Sequence, residues 1–291
     1  MNARPNMHRI ACPLCDVRTK LHRAVDGVDY FECGACDFMF ADPALLARVD
    51  AGEPLRRYDE AYWSSELSAA RQRSYGSSLA RVAEAILYCS IPIERFIDVG
   101  TGPGFLLDAL TAYLPSRAQT FYGVEKFPPD ASECTRHPNY LRTDLASVEG
   151  TFQCGVCIEV LEHLTPAMAR GLAHALAHVS EPGSLFLFNT GLTDYVRNED
   201  PDYLDPYGRG HITCWSVRAA ARIFEPAGFV LHPLRGKSWA FLVERPGASA
   251  SKAPPPHDRI WSAPERNKSL LRDDAMGEAM YLLGRESARA Y

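Results

Sequence analysis

The sequence lacks any apolar run near the ~18 residues needed to cross a bilayer, which excludes a membrane-spanning helix of ordinary length. Its first ten residues, Met1 to Ile10, carry no apolar core, so no secretory signal is expected there. A basic excess is missing too: 31 Lys and Arg stand against 36 Asp and Glu, a formal charge of -5, which argues against nucleic acid as a partner. No internal repeat is visible, so a solenoid is not expected. With 46% hydrophobic residues, the 291-residue chain can nevertheless bury a sizeable core. Together these features point to a cytoplasmic globular protein whose nine cysteines serve as thiols or metal ligands rather than disulfides.

Composition divides the chain into four stretches: a cysteine-bearing module over 8–43, a main domain over 55–245, a Pro/Ala/Ser linker over 246–264, and a C-terminal helix or tail over 265–291. In the main domain, Leu79, Val82, Ala83, Ile86 and Leu87 recur at helical spacing. Beyond them, Ile93-Val99, Thr120-Val124, Phe152-Ile158 and Leu185-Phe188 read as strands. Phe105-Leu114, Pro166-Val179 and Val217-Phe224 read as the helices between them. Such alternation predicts an α/β fold with a mostly parallel sheet covered by helices on both faces. Phe229-Pro233 and Trp239-Glu244 look like a closing hairpin, which makes the last strand antiparallel. The tail carries Leu270, Leu271, Met280, Leu282 and Leu283 among charges, so it is expected to lie on the body or on a second copy of the chain, giving a homo-oligomer, or else to fray.

Two C-x-x-C knuckles, Cys12/Cys15 and Cys33/Cys36, stand seventeen residues apart. Two-residue spacing lets both sulfurs of a knuckle face one ion, and two knuckles complete a closed tetrahedral thiolate shell. A shell without an open position makes the zinc structural. Tyr30-Cys33 and Asp37-Phe40 are the expected hairpin strands of this zinc-ribbon-like module. Cys154 and Cys157 repeat the spacing inside a strand, where positions three apart face opposite ways, so they are read as core thiols. His174 and His178 lack the glutamate of a zinc protease between them and are read as surface residues.

The densest signal is Asp98-Val99-Gly100-Thr101-Gly102-Pro103-Gly104-Phe105, where a strand ends in an acid and a glycine-rich bend opens a helix. A dinucleotide fingerprint needs G-x-G-x-x-G, and from Gly100 its third glycine position holds Phe105, so that pattern fails. A carboxylate two residues before the first glycine is unsuited to pyrophosphate and apt for a positively charged cofactor. The bend resembles the first motif of class I S-adenosylmethionine-dependent methyltransferases, acid-x-G-x-G-x-G. Glu125 at the end of the next strand, Asp144, the stretch Cys157 to Leu164 and the turn Glu181-Pro182-Gly183-Ser184 extend the likeness over about 93–245. The resemblance implies a Rossmann-like fold and S-adenosylmethionine (SAM) as cofactor. It implies Asp98 on the methionine amino group, with Gly100, Thr101, Gly102, Gly104 and Phe105 forming the bend. It also implies Glu125 on the ribose hydroxyls, Asp144 near the adenine amino group, and Glu159 lining the cofactor site. A ribbon ahead of such a domain is similar to bacterial methyltransferases of sugar, surface-glycan and natural-product pathways. The implied partner is therefore a small-molecule or glycan acceptor.

Glu159, Glu162 and His163 follow the fourth strand, and His211 could approach from a later loop. If helical geometry begins there, the first three share a face. Three readings of this set stand side by side. Two carboxylates and two imidazoles suit Mg or Mn with open positions, as in ubiquinone-pathway O-methyltransferases and small-RNA terminal-ribose methyltransferases, which carry similar E-x-x-E-H sets. His163 or His211 could instead act as a metal-free general base. Or Glu162 and His163 only orient a loop. Tyr195, Asp202, Tyr203, Asp205 and Tyr207 are candidate acceptor lining, and Tyr58, Tyr62 and Trp63 could close over the cofactor. The expected activity is SAM-dependent methylation of a small hydroxylated acceptor, with O-transfer favoured. C- or N-methylation, an RNA terminal-ribose methyltransferase and a non-catalytic ribbon interaction module are the alternatives.

Overall fold

The computed structural model describes residues 10–55, 60–247 and 254–289, with 60–65 described by backbone alone. Two sheets are built from it. In the smaller, β1 (Lys20–Val25), β2 (Val28–Cys33) and β3 (Phe38–Ala41) run antiparallel, and β9 (Thr213–Cys214), from far along the chain, adds to β3. The β1–β2 turn is Asp26-Gly27, both at positive φ (49° and 80°), the left-handed pair that a tight two-residue hairpin demands.

The larger sheet comprises β4 (Phe96–Val99), β5 (Phe121–Val124), β6 (Tyr140–Leu141), β7 (Phe152–Ile158), β8 (Ser180–Asn189), β10 (Val230–Pro233) and β11 (Ala240–Glu244). Its order is β10-β11-β8-β7-β4-β5-β6, parallel from β6 to β8 and antiparallel at β11 and β10. This is the Rossmann-like arrangement expected, closing hairpin included. One detail differs. Phe152 pairs with Ser180 and Cys154 with Leu185, so Glu181–Ser184 is a bulge inside β8 rather than a turn ahead of it, with Gly183 at φ 94°.

Ten helices are described: α1 (Pro43–Asp50), α2 (Glu60–Ser74), α3 (Ser77–Tyr88), α4 (Phe105–Tyr113), α5 (Pro166–His178), α6 (Thr193–Asn198), α7 (Val217–Phe224), α8 (Pro256–Ser262), α9 (Glu265–Leu270) and α10 (Ala279–Arg289). The hydroxyls of Thr165 and Ser216 cap α5 and α7 by accepting from Met168 N and Ala219 N. One core, against α5, α7 and the small sheet, contains Cys157; the other, against α3, α4 and the tail helices, contains Cys154. The two thiols therefore face opposite sides of β7. His174 and His178 are exposed.

Among the described residues the tail lies on the body, while Leu282 and Leu283 of α10 stay exposed. Met280, Gly284 and Ala288 of α10 are buried, and a side chain at Gly284 would meet Ala83 of α3 at 2.8 Å. Every residue of α3 from Ser78 to Tyr88 is consequently buried, its polar Arg81 and Glu84 included. Those two pair with each other at 3.0 Å, Glu84 pairs with Lys237, and Arg81 bonds Ser287 of α10. Within the stretch read as a linker, α8 supplies Arg259, which forks onto the Glu244 carboxylate at 2.7 and 3.0 Å. Asn267 of α9 accepts from Ile93 N and donates to the carbonyls of Cys89 and Ile91, satisfying the chain end of α3.

Because Asn267 is fully buried, its loss orphans several main-chain groups at once. Asn267→Ala should lower unfolding free energy by about 2–4 kcal/mol in a denaturant titration. An unshifted midpoint would mean that the tail is not docked as described.

Candidate active site

The glycine bend sits between β4 and α4, at the carboxyl edge of the sheet where open α/β folds bind ligands. Gly100, Gly102 and Gly104 all have positive φ (77°, 57° and 78°), a conformation that L side chains rarely adopt. Space excludes a side chain as well: a Cβ at Gly100 would come within 2.5 Å of Val160 Cγ2, and one at Gly104 would strike Thr135 and Tyr140. Phe105 opens α4 and is buried. The Arg71 guanidinium lies 4.0 Å from its ring, and both line a cavity of about 610 Å3 beside α4.

Asp98 is 4% exposed at the end of β4. Burial pushes its carboxyl up to about 7, against a partial lowering by the Thr101 hydroxyl and a further rise from neighbouring Glu125. Glu125, after β5, accepts from Gly102 N and Phe127 N at 2.8 Å each. Burial raises it, and these amides oppose the rise. Each carboxylate oxygen has a second lone pair, so acceptor capacity remains. Asp144 caps the short turn Leu145–Ser147 and holds the Lys126 ammonium at 2.6 Å, the first cause of its lowered pKa. Tyr140 donates to Gly102 O at 2.7 Å and so braces the bend from behind.

Past β7 the chain is held in an unusual form. Glu159 has φ 54°, left-handed for a residue with a side chain, a local cost that recurs at working sites. Asn189 donates to Glu159 Oε1 at 2.7 Å. Burial pushes this carboxyl up to about 8, with Glu162 adding to the rise. The next turn, Leu161–His163, is a short 3-10 helix, so the α-helical spacing that would set the three side chains on one face is not met. Glu162, His163 and His211 bring one ligand atom each within 4.8 Å of one another, and Glu159 is outside that group.

Hydrogen bonds set the tautomers of the trio. His211 Nδ1 lies 2.7 Å from Tyr203 O and His163 Nδ1 3.0 Å from Gly210 O. A carbonyl accepts only, so each Nδ1 carries a proton; in His211, whose ring is neutral, Nε2 keeps the lone pair. The rings stand edge to face, 5.0 Å between centroids. Glu162 is fully buried; its Oε2 accepts from Thr190, while Oε1 has no hydrogen-bond partner and stands 3.9 Å from His211 Nε2. Burial lowers His211 to about 3, His163 adding to the effect, so its ring is neutral at pH 7.

Of the candidate lining, Tyr203 is buried against the His211 ring at 4.3 Å and accepts from Gly191 N at 2.8 Å; Tyr195 packs edge-on to it at 5.6 Å. Asp205 instead accepts from Tyr207 N and Gly208 N of its own turn, Asp202 is exposed beside Arg23, and Tyr207 is exposed. Tyr58 and the side chains of Tyr62 and Trp63 lie outside the described residues. Tyr140, Asn189, Thr190 and Tyr203's supporting role were missed in the sequence, since each is defined by a contact across distant segments.

At the ribbon, Cys12 and Cys36 sulfurs are 3.5 Å apart, Cys15 and Cys33 3.5 Å, and Cys15 and Cys36 3.7 Å. Four thiolates 2.3 Å from one zinc would sit about 3.8 Å apart, so the cluster fits that ion closely.

Residues 56–234, more than half of the chain, match the family described as a methyltransferase domain. Among solved structures, the chain is similar to the sugar N-methyltransferase KedS8 of a Streptoalloteichus species (13% identity, 66% of this chain and 95% of that one, TM-score 0.48). It is also similar to DesVI of Streptomyces venezuelae (15%, 66% and 100%, TM-score 0.46). A third is CalS10 of Micromonospora echinaspora, an amino pentose methyltransferase of calicheamicin biosynthesis solved with SAM bound (16%, 65% and 98%, TM-score 0.45). No curated protein matches the chain in sequence. The chain belongs to the methyltransferase-domain family and is a SAM-dependent methyltransferase.

A raised carboxyl in the folded state makes stability fall as pH rises from its ordinary 3.8 through about 7, and leaves it level above that. Asp98→Asn removes this loss. In urea titrations the cofactor-free variant should match wild type near pH 4 and exceed it at pH 8, by at most about 4 kcal/mol. A constant difference across that range would contradict the burial of the charge.

Proposed function

We propose that the enzyme methylates a hydroxyl of a small hydroxylated acceptor, a sugar, glycan precursor or related natural product, held at a divalent ion on Glu162, His163 and His211. The observation carrying this reading is the convergence of one ligand atom each from Glu162, His163 and His211 within 4.8 Å, with Glu162 buried among them. Imidazoles that give their other N–H to main-chain carbonyls are in the usual state of metal ligands. Such a mixed nitrogen and oxygen set suits Mn at least as well as Mg. The ion would supply a lowered pKa and a fixed position for the acceptor oxygen. A general-base role for His211 is less apt, because a group titrating near 3 accepts a proton poorly at pH 7.

SAM supplies a methyl group on a cationic sulfur; the protein binds, aligns and excludes water. Asp98 would take the methionine ammonium, Glu125 the ribose hydroxyls and Asp144 the adenine amino group, with Gly100 to Phe105 forming the wall and Glu159 facing the cofactor's charge. The four cysteines 12, 15, 33 and 36 would hold one structural zinc within a ribbon spanning 8–43, ahead of a catalytic domain over 55–245.

Chelation should abolish transfer and added Mn or Mg restore it, while cysteine-bound zinc is retained. Glu162→Gln should cut kcat/KM by roughly 100-fold or more while cofactor affinity changes little. In calorimetry, Asp98→Ala and Glu125→Ala should each lose SAM binding. Activity indifferent to the chelator rejects the ion; equal SAM binding by the two alanine variants rejects the cofactor site.

A further inference from the structure

We propose that the four-cysteine ribbon is the clamp that holds His211 in register with Glu162 and His163, and that Tyr30 is its positioning residue. The catalytic consequence of the clamp rests on the metal-site reading above; its existence as a physical coupling does not.

The segment from His211 to Ser216 is bonded on both sides. Toward the ribbon, Tyr30 donates its hydroxyl to His211 O at 2.7 Å and Ala41 N donates to Ile212 O at 2.8 Å. Phe40 then pairs with Thr213 and Met39 with Cys214, Phe38 packs 4.5 Å from the Trp215 ring, and the Ser216 hydroxyl donates to Cys36 O at 2.9 Å. Toward the catalytic turn, Ile212 N donates to Glu162 O at 3.0 Å, the Thr213 hydroxyl to Leu164 O at 3.0 Å, and Trp215 Nε1 to Leu161 O at 3.0 Å. Successive residues of one strand therefore bridge the ribbon to the turn that carries Glu162 and His163.

A two-residue strand such as β9 has no stability of its own and depends on its neighbours. Those neighbours are set by the cysteines: Cys33 ends β2, Cys36 lies two residues ahead of β3, and Cys36 also supplies the carbonyl that Ser216 reaches. An ion closing the thiolates would fix the turn from which β3 departs. Tyr30 acts one step closer. It is fully buried, and its bond to the His211 carbonyl sets the peptide plane from which the imidazole projects. Side-chain links add to the clamp: Arg197 reaches Glu32 and Asp37 at 2.5 and 2.6 Å, and Thr193 donates to Asp37 at 2.8 Å.

Hydrogen exchange on the full chain tests this without any methyl transfer. In Tyr30→Phe, amides of Ile212, Thr213 and Cys214 should exchange roughly 5- to 10-fold faster, while Val99 and Val156 in the large sheet keep their wild-type rates. Manganese titrated into the same variant should bind more weakly by a similar factor, read from the spin signal of the free ion, with SAM affinity unchanged. In wild-type protein stripped of zinc by a thiol reagent and chelator, residues 212–214 should lose protection together with 20–41. The clamp is overturned if 212–214 stay protected while the ribbon exchanges freely, if their rates are unchanged in Tyr30→Phe, or if that variant loses protection across both sheets alike. Wild-type protein that takes up no manganese would reject the metal reading, and the exchange rates would still decide the clamp.

Discussion

The carboxyls of Asp98 and Glu162 are buried and that of Glu159 half-buried at one edge of one sheet, and among the described residues no lysine or arginine forms an ion pair with them. Burying charge without a partner is costly, and the protein meets that cost partly by retaining protons at two of them. A cation arriving at this edge would restore the charge and offset the cost. Much of the surrounding architecture follows from keeping these groups in place. Asn189 and Thr190, adjacent at the end of β8, each hold one carboxylate, Tyr140 braces the bend below Asp98, and Glu159 is kept in a left-handed conformation.

The edge is enclosed from two directions by parts of the chain remote from it in sequence. On one face the tail helices bury α3, which lies against β7 and β8, and Arg259 and Asn267 anchor that tail with charged and amide hydrogen bonds. On the other face the small sheet is continuous with the segment bearing His211. A ribbon that shares a strand and a core with the catalytic domain differs from a module attached by a linker: Tyr30, Phe38, Phe40 and Trp215 belong to one packed cluster.

What could be read before folding was the local part. Acid and glycine spacing at 98–104, the paired knuckles, the caps at Thr165 and Ser216, and the limits of Phe152-Ile158 and Val217-Phe224 are set by neighbours in the chain, and the structure has them as expected. The Asp26-Gly27 hairpin was equally local and passed unread beside the cysteines. Three features were not accessible to local reading. That Glu162, His163 and His211 cluster without Glu159, whose carboxyl still interacts with Glu162, goes with a left-handed Glu159 and a 3-10 turn that residue spacing alone does not reveal. The docking of α10 depends on Gly284 meeting Ala83 some two hundred residues away. The β3–β9 pairing joins two-residue and four-residue strands too short to announce themselves by periodicity.

The most direct measurement is a crystal structure grown with S-adenosylhomocysteine, the product left after methyl transfer. The expected density has the nucleoside in the bend of Gly100 to Gly104, its amino group on Asp98 and its ribose on Glu125. A bend left empty, or a nucleoside bound elsewhere on the chain with Asp98 still enclosed by protein alone, would contradict the reading of these buried acids as the seat of a cationic cofactor.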